Sequence, residues 1–141
     1  DKLGKIANLF NRDGGPTPPV GISVPKAMYD DFVEICKPIK EINPEYPFEV
    51  TVAQPRKKPT TMGGTDASVF AVKGVPTYGF REQDFKGYNF NYGEIWHTER
   101  DLYTKSIPEY MEHTSVVTAI VALGVANLKH QLSREGMYTD Q

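Results

Sequence analysis

The sequence predicts an α/β fold, a three-layer α/β/α sandwich, and three observations carry that expectation. Short apolar runs bounded by Gly and Pro alternate with helical patterns, the order found when helices cover a sheet. Hydrophobic residues make up 39% and charged residues 24% of 141 positions, the balance of a folded domain with its own core. The last long apolar segment reads as a helix without a polar side, and such helices are normally sandwiched between layers.

Residues 5–11 read as a first strand, because Ile6, Ala7, Leu9 and Phe10 form a mostly apolar run. Asp13-Gly14-Gly15-Pro16 breaks it. Residues 20–24 give a second strand. Pro25 suits the first turn of a helix, and Met28, Phe32, Ile35 and Cys36 then share one helical face. Pro38 is expected to end or kink that helix near Lys37, since it lacks an N–H and crowds the preceding turn.

Residues 43–47 form a turn, and 48–52 alternate as a half-buried strand. Residues 55–61 are a polar loop holding Arg56, Lys57 and Lys58. Residues 65–72 read as a short helix with Thr65 as N-cap. Gly74 leads into a strand over 75–80. Residues 81–94 form a long irregular loop rich in Gly, Asn and aromatics, and long loops in compact domains usually carry function or are disordered. The final helix is expected over 107–132.

A net charge of −2 and scattered Lys and Arg give no electrostatic case for nucleic acid. The longest apolar stretch, 116–126, is too short to span a bilayer and is interrupted by Thr118. Cys36 is the one cysteine, which excludes an internal disulfide and a cysteine-based zinc cluster. The chain opens at Asp1 without Met or a signal-peptide pattern, as expected of a fragment or a processed protein, and it carries no readable address.

Three places carry candidate chemistry. His97 ends the irregular loop, with Asp101 close enough to orient its ring or to cap a turn. Asp13 follows an apolar run, and ligand sites in α/β sheets lie beyond strand C-termini. Asp before two glycines is also an ordinary turn residue. At Met62-Gly63-Gly64-Thr65-Asp66 the glycines let backbone approach a ligand. Asp66 would lie in the first turn of a helix, where the dipole favours a carboxylate without any ligand.

Four motifs occur in order: Asn8-Leu9-Phe10-Asn11-Arg12-Asp13, Gly63-Gly64-Thr65-Asp66-Ala67-Ser68-Val69-Phe70, Gly74-Val75-Pro76-Thr77 and Trp96-His97-Thr98-Glu99-Arg100-Asp101. Together they resemble the cocatalytic-zinc metallopeptidase family of bacterial leucine aminopeptidases and plasma glutamate carboxypeptidase, whose fold glutaminyl cyclases share. The resemblance runs from Ile6 to the terminal helix. It implies that residues 1–141 are the C-terminal, distal portion of a zinc exopeptidase catalytic domain. It also implies two zinc ions in the complete site, with Asp13 and His97 each a ligand and Asp101 acting behind His97. The implied substrate is a peptide or dipeptide losing one terminal residue, and the implied setting is periplasmic or secreted. Met62, Gly63, Gly64, Thr65, Asp66, Tyr88 and Tyr92 are the expected pocket residues.

The chain departs from the family before Asp13. The family's first His, its bridging Asp and its Glu pair have no counterpart here, so no catalytic general base is assigned within this chain. Met62 stands where some members carry a Tyr that stabilises the oxyanion, and Tyr88 and Tyr92 are the candidates to replace it. Ser23-Val24-Pro25-Lys26 has the S-x-x-K spacing without the partner motifs of penicillin-binding enzymes. Glu109 and His113, at i and i+4, read as a surface pair, and His130 as solvated. The alternative function is a non-catalytic α/β module that pairs with another chain through an open sheet edge. On either reading the exposed edge predicts a homo-oligomer.

Overall fold

The computed structural model describes residues 2–139. Its centre is β1 (Pro19–Val24), flanked by β2 (Glu49–Val52) and β3 (Phe80–Glu82) in the order β2-β1-β3. β2 runs parallel to β1 with Ile22 opposite Val50, and β3 runs antiparallel with Ile22 opposite Phe80. Side chains alternate along a strand, so this register gathers Ile22, Val24, Val50 and Phe80 on one face. The other face carries Ser23 and Thr51, whose hydroxyls bond at 2.8 Å, with exposed Glu49 and Arg81 beside them.

A parallel pair needs a crossover, and α1 (Tyr29–Ile42) supplies it, entered through a 3-10 turn at Lys26–Met28. Met28, Phe32, Cys36 and Ile39 are buried from this segment. Contrary to expectation, Pro38 does not end the helix, which continues to Ile42. Burial of Ile39 in the core keeps the last turn in place despite the missing N–H.

α4 (Pro108–Ala126) packs against α1 and buries Tyr110, His113, Val117 and Val121. Gly124 allows the close approach, since a Cβ there would stand 2.4 Å from Ile35 Cγ2. The expectation of a helix buried all round is corrected: Leu123 is 64% and Met111 49% exposed. Its end is also earlier than residue 132. Leu132 and Met137 are buried in the core, and the chain must leave the helix at Asn127 to bring them there. In this returning tail the Arg134 guanidinium donates to the carbonyls of Leu3, Gly4, Ile6 and Gly74. The tail thereby holds the N-terminal segment against the domain.

Both helices and β1 share one core, an α/β arrangement with a small mixed sheet. The expected strand over 5–11 is absent. Leu3–Lys5 is a 3-10 turn, and the extended chain beyond it meets residues 75–79 through one backbone bond, Leu9 N–H to Pro76 O at 2.9 Å. Tyr78 N–H, the donor placed to return a bond to Leu9, goes to Asn8 Oδ1 at 3.2 Å instead, and Pro76 has no N–H, so no ladder forms there. For the same reason the strand expected over 75–80 is registered only from Phe80. Among the described residues no helix is long and apolar enough to cross a membrane.

Candidate functional site

The turn at Asp13 is fixed from behind. Arg12 forms an ion pair with Glu82 at 2.9 Å and donates to the Thr17 carbonyl, while Thr17 donates to the same Glu82. Burial pushes the Glu82 carboxyl up, and Arg12 opposes it. A Cβ at Gly14 would stand 1.9 Å from Glu82 Oε2, so glycine is what lets this turn close over the pair. In front, Asn11 Nδ2 donates to Asp13 Oδ2 at 2.6 Å and to Thr65 Oγ1 at 2.7 Å. Asp13 Oδ1 has no partner among the described residues.

Thr65 begins the second wall. Its hydroxyl oxygen accepts the Ala67 N–H at 3.3 Å at the start of α2 (Ala67–Ala71), whose N-cap position is Asp66 rather than the expected Thr65. Gly63 and Gly64 have φ of 148° and 78°, a path closed to most side chains. The Gly64 N–H meets no acceptor among the described residues. The Asp66 carboxylate is likewise unpartnered there.

The third wall is α3 (Tyr92–Ile95) and the turn after it. Ile95 is buried and anchors the segment. The Thr98 hydroxyl faces the Glu94 and Ile95 carbonyls at 3.1 and 3.0 Å, tying down the end of the short helix. His97 lies between them with φ of 56°, a left-handed conformation that histidine tolerates better than branched residues. Its ring stands 4.6 Å from the Trp96 ring, centre to centre. Among the described residues neither ring nitrogen has a hydrogen-bond partner, and no bond joins His97 to Asp101.

These three walls enclose one open cleft of about 1100 Å³. Asp13, Met62, Gly63, Gly64, Thr65, Asp66, Tyr92, His97 and Asp101 all line it. Its rim is apolar: Met62, Val69, Trp96, Leu102, Tyr103 and Met111 are among the most exposed large hydrophobic side chains of the chain. Tyr88, expected in the pocket, does not line it. The Tyr88 hydroxyl donates to Glu109, which also accepts from Lys86 and Tyr46. Those donors hold the Glu109 carboxyl down at about 2.

Glu109 and His113 are not a surface pair. His113 is 1% exposed, accepts from Asn43 Nδ2 at 2.8 Å, donates to Pro19 O at 3.2 Å, and stacks on Tyr46. His130 is exposed, as expected, and meets Asp31 at 2.9 Å. Two roles escaped sequence reasoning. Asn11 bridges two walls, and its spacing to Asp13 looks like any turn. Phe90 packs its ring over Gly15, a contact invisible in an irregular loop.

Carboxylate oxygen and imidazole nitrogen are donor types that zinc accepts, and Asp13 and His97 both line the cleft. It is not a complete site, for among the described residues no three His, Cys, Asp or Glu side chains come together as a metal-binding group. No family model, no curated protein and no solved structure matches this chain.

Proposed function

We propose that the chain forms the distal half of a two-zinc exopeptidase site, Asp13 and His97 each serving as one ligand. The observation that carries this is the gathering of Asp13, Met62 to Asp66, Tyr92, His97 and Asp101, from three separate segments, around one cleft. The remaining ligands and the general base belong to chain outside these residues. The three-layer arrangement is part of this proposal and would place a second helical layer over the sheet face that carries Ser23 and Thr51.

Zinc, when bound, supplies Lewis-acid polarisation of the scissile carbonyl and lowers the pKa of its water toward neutrality. The chain's own residues do the rest. Asn11 fixes the Asp13 carboxylate by occupying Oδ2, leaving Oδ1 without a partner among the described residues. The left-handed turn at His97 presents the ring without a competing protein bond. The free Gly64 N–H can hold a peptide carbonyl. Met62, Val69 and Trp96 exclude water from a terminal side chain.

The test is hydrolysis of leucyl p-nitroanilide and dipeptides by zinc-loaded protein that includes the complementary ligands. His97→Ala is expected to abolish turnover with loss of bound zinc. Asp101→Ala, acting behind a ligand, is expected to cost about 10–100-fold. Full zinc content and normal turnover in His97→Ala would reject the reading.

A further inference from the structure

Asp84 lies outside the cleft, yet it collects three hydrogen bonds. Its carboxylate accepts the Tyr88 N–H at 3.0 Å, the Phe90 N–H at 3.3 Å and the Tyr110 hydroxyl at 2.7 Å. The Tyr110 oxygen in turn accepts the Lys86 N–H at 2.8 Å. Residues 84–90 are thereby wound around one carboxylate and pinned to a fully buried tyrosine of α4. Gly87 and Asn89 take φ of 76° and 56° inside this winding.

The far end of the winding touches the Asp13 turn. Phe90 Cζ stands 3.0 Å and Tyr92 Cδ2 3.7 Å from where a Cβ of Gly15 would be. Gly15 is two residues from Asp13, and Tyr92 starts the short helix that ends at Ile95, two residues before His97. The two walls that carry the proposed ligands meet at this contact, and Asp84 holds it.

We propose that Asp84 and Tyr110 are positioning residues, which set the His97 wall against the Asp13 turn before any metal or peptide binds. This rests on the exopeptidase reading for its purpose. Its mechanics do not. An acceptor with two oxygens can satisfy the three donors at once, and one buried hydroxyl fixes that acceptor to the rigid helix. Sites of this kind depend on supporting contacts that hold the reacting groups in place.

The test uses the isotopically labelled 141-residue chain without metal, so its failure is separate from failure of the zinc reading. Asp84→Ala is expected to move the His97 ring signals and the Gly15 amide signal together in NMR spectra, with His130 as the unmoved reference. Loss of a hydrogen bond to a charged acceptor is worth about tenfold in local opening, so Phe90 amide exchange should quicken by about that factor. Asp84→Asn keeps one acceptor oxygen and should restore part of both effects. Gly15→Ala, acting from the opposite side of the contact, should move the same His97 signals. Where Asp84→Ala does not fold, Tyr110→Phe, which removes one hydroxyl, takes its place with the same expected pattern. His97 and Gly15 signals at their wild-type positions in the folded variant, whatever its melting temperature, would overturn the proposal.

Discussion

Asn11 Nδ2 and Thr65 Oγ1, 54 residues apart, are joined by a 2.7 Å hydrogen bond that ties the Asp13 turn to the glycine turn. The same nitrogen holds Asp13, so one side-chain amide fixes both the carboxylate and the glycine turn opposite it. Removing either partner should loosen the other. Asn11→Ala and Thr65→Val are expected to show a coupling of about 0.5–1.5 kcal/mol in a double-mutant cycle. Urea denaturation of the two single variants and the double variant measures it. Strict additivity would mean that the bond contributes nothing.

Gly124 sits where α4 crosses α1, and a methyl group there would overlap Ile35. Gly→Ala in a helix usually helps, by up to about 1 kcal/mol through propensity alone. Here overpacking reverses the sign, and Gly124→Ala is expected to cost about 1–3 kcal/mol. Shortening the neighbour as well, in Gly124→Ala with Ile35→Val, should recover part of that loss. Thermal unfolding of the three variants checks both the sign and the recovery.

His113 predicts a pH dependence. Burial holds its imidazole below the ordinary value, and the neutral ring is the form bonded to Asn43 and Pro19. The unfolded chain therefore takes up this proton at a higher pH than the folded one. Stability from this group is full above about pH 6.5 and declines as the pH falls below it, levelling once the folded form also titrates. His113→Gln should remove that slope. Denaturation midpoints between neutral pH and mild acid decide it, and an unchanged slope in the variant would assign the effect elsewhere.

The elements legible in the sequence were those whose patterns serve one core. β1 and β2 fall close to the strands expected over 20–24 and 48–52, and α1 carries the expected Met28, Phe32, Cys36 face but runs past Pro38 to Ile42. The elements misread were decided by contacts between distant segments. The Asn8 side chain takes the Tyr78 N–H and leaves residues 5–11 without a ladder, and the burial of Leu132 and Met137 draws the chain out of α4 at Asn127. His113 looked like a surface residue because its partners, Asn43 and Pro19, are remote in sequence. In the cleft, Asp13, Asp66, His97 and Asp101 were legible from ordered motifs, and Tyr92 from the aromatic loop before His97. Tyr88 was not, because Glu109 claims its hydroxyl, and Asn11 was not, because its function needs Thr65 beside it.

The most direct measurement is a zinc titration of the 141-residue chain, read at individual residues by NMR. His97 and Asp13 are assigned to different ions, so each would hold zinc with one protein ligand, against the four usual in a structural site. The expected result is weak binding, far from saturated at equimolar zinc, that moves the His97 ring signals and the Gly14 amide signal. His113 and His130 should stay in place, and His97→Ala should erase the ring response while leaving the shift at Gly14. His97 signals that remain fixed at a large excess of zinc, or a tight one-to-one complex, would contradict the assignment of Asp13 and His97 as the two ligands contributed by this half of the site.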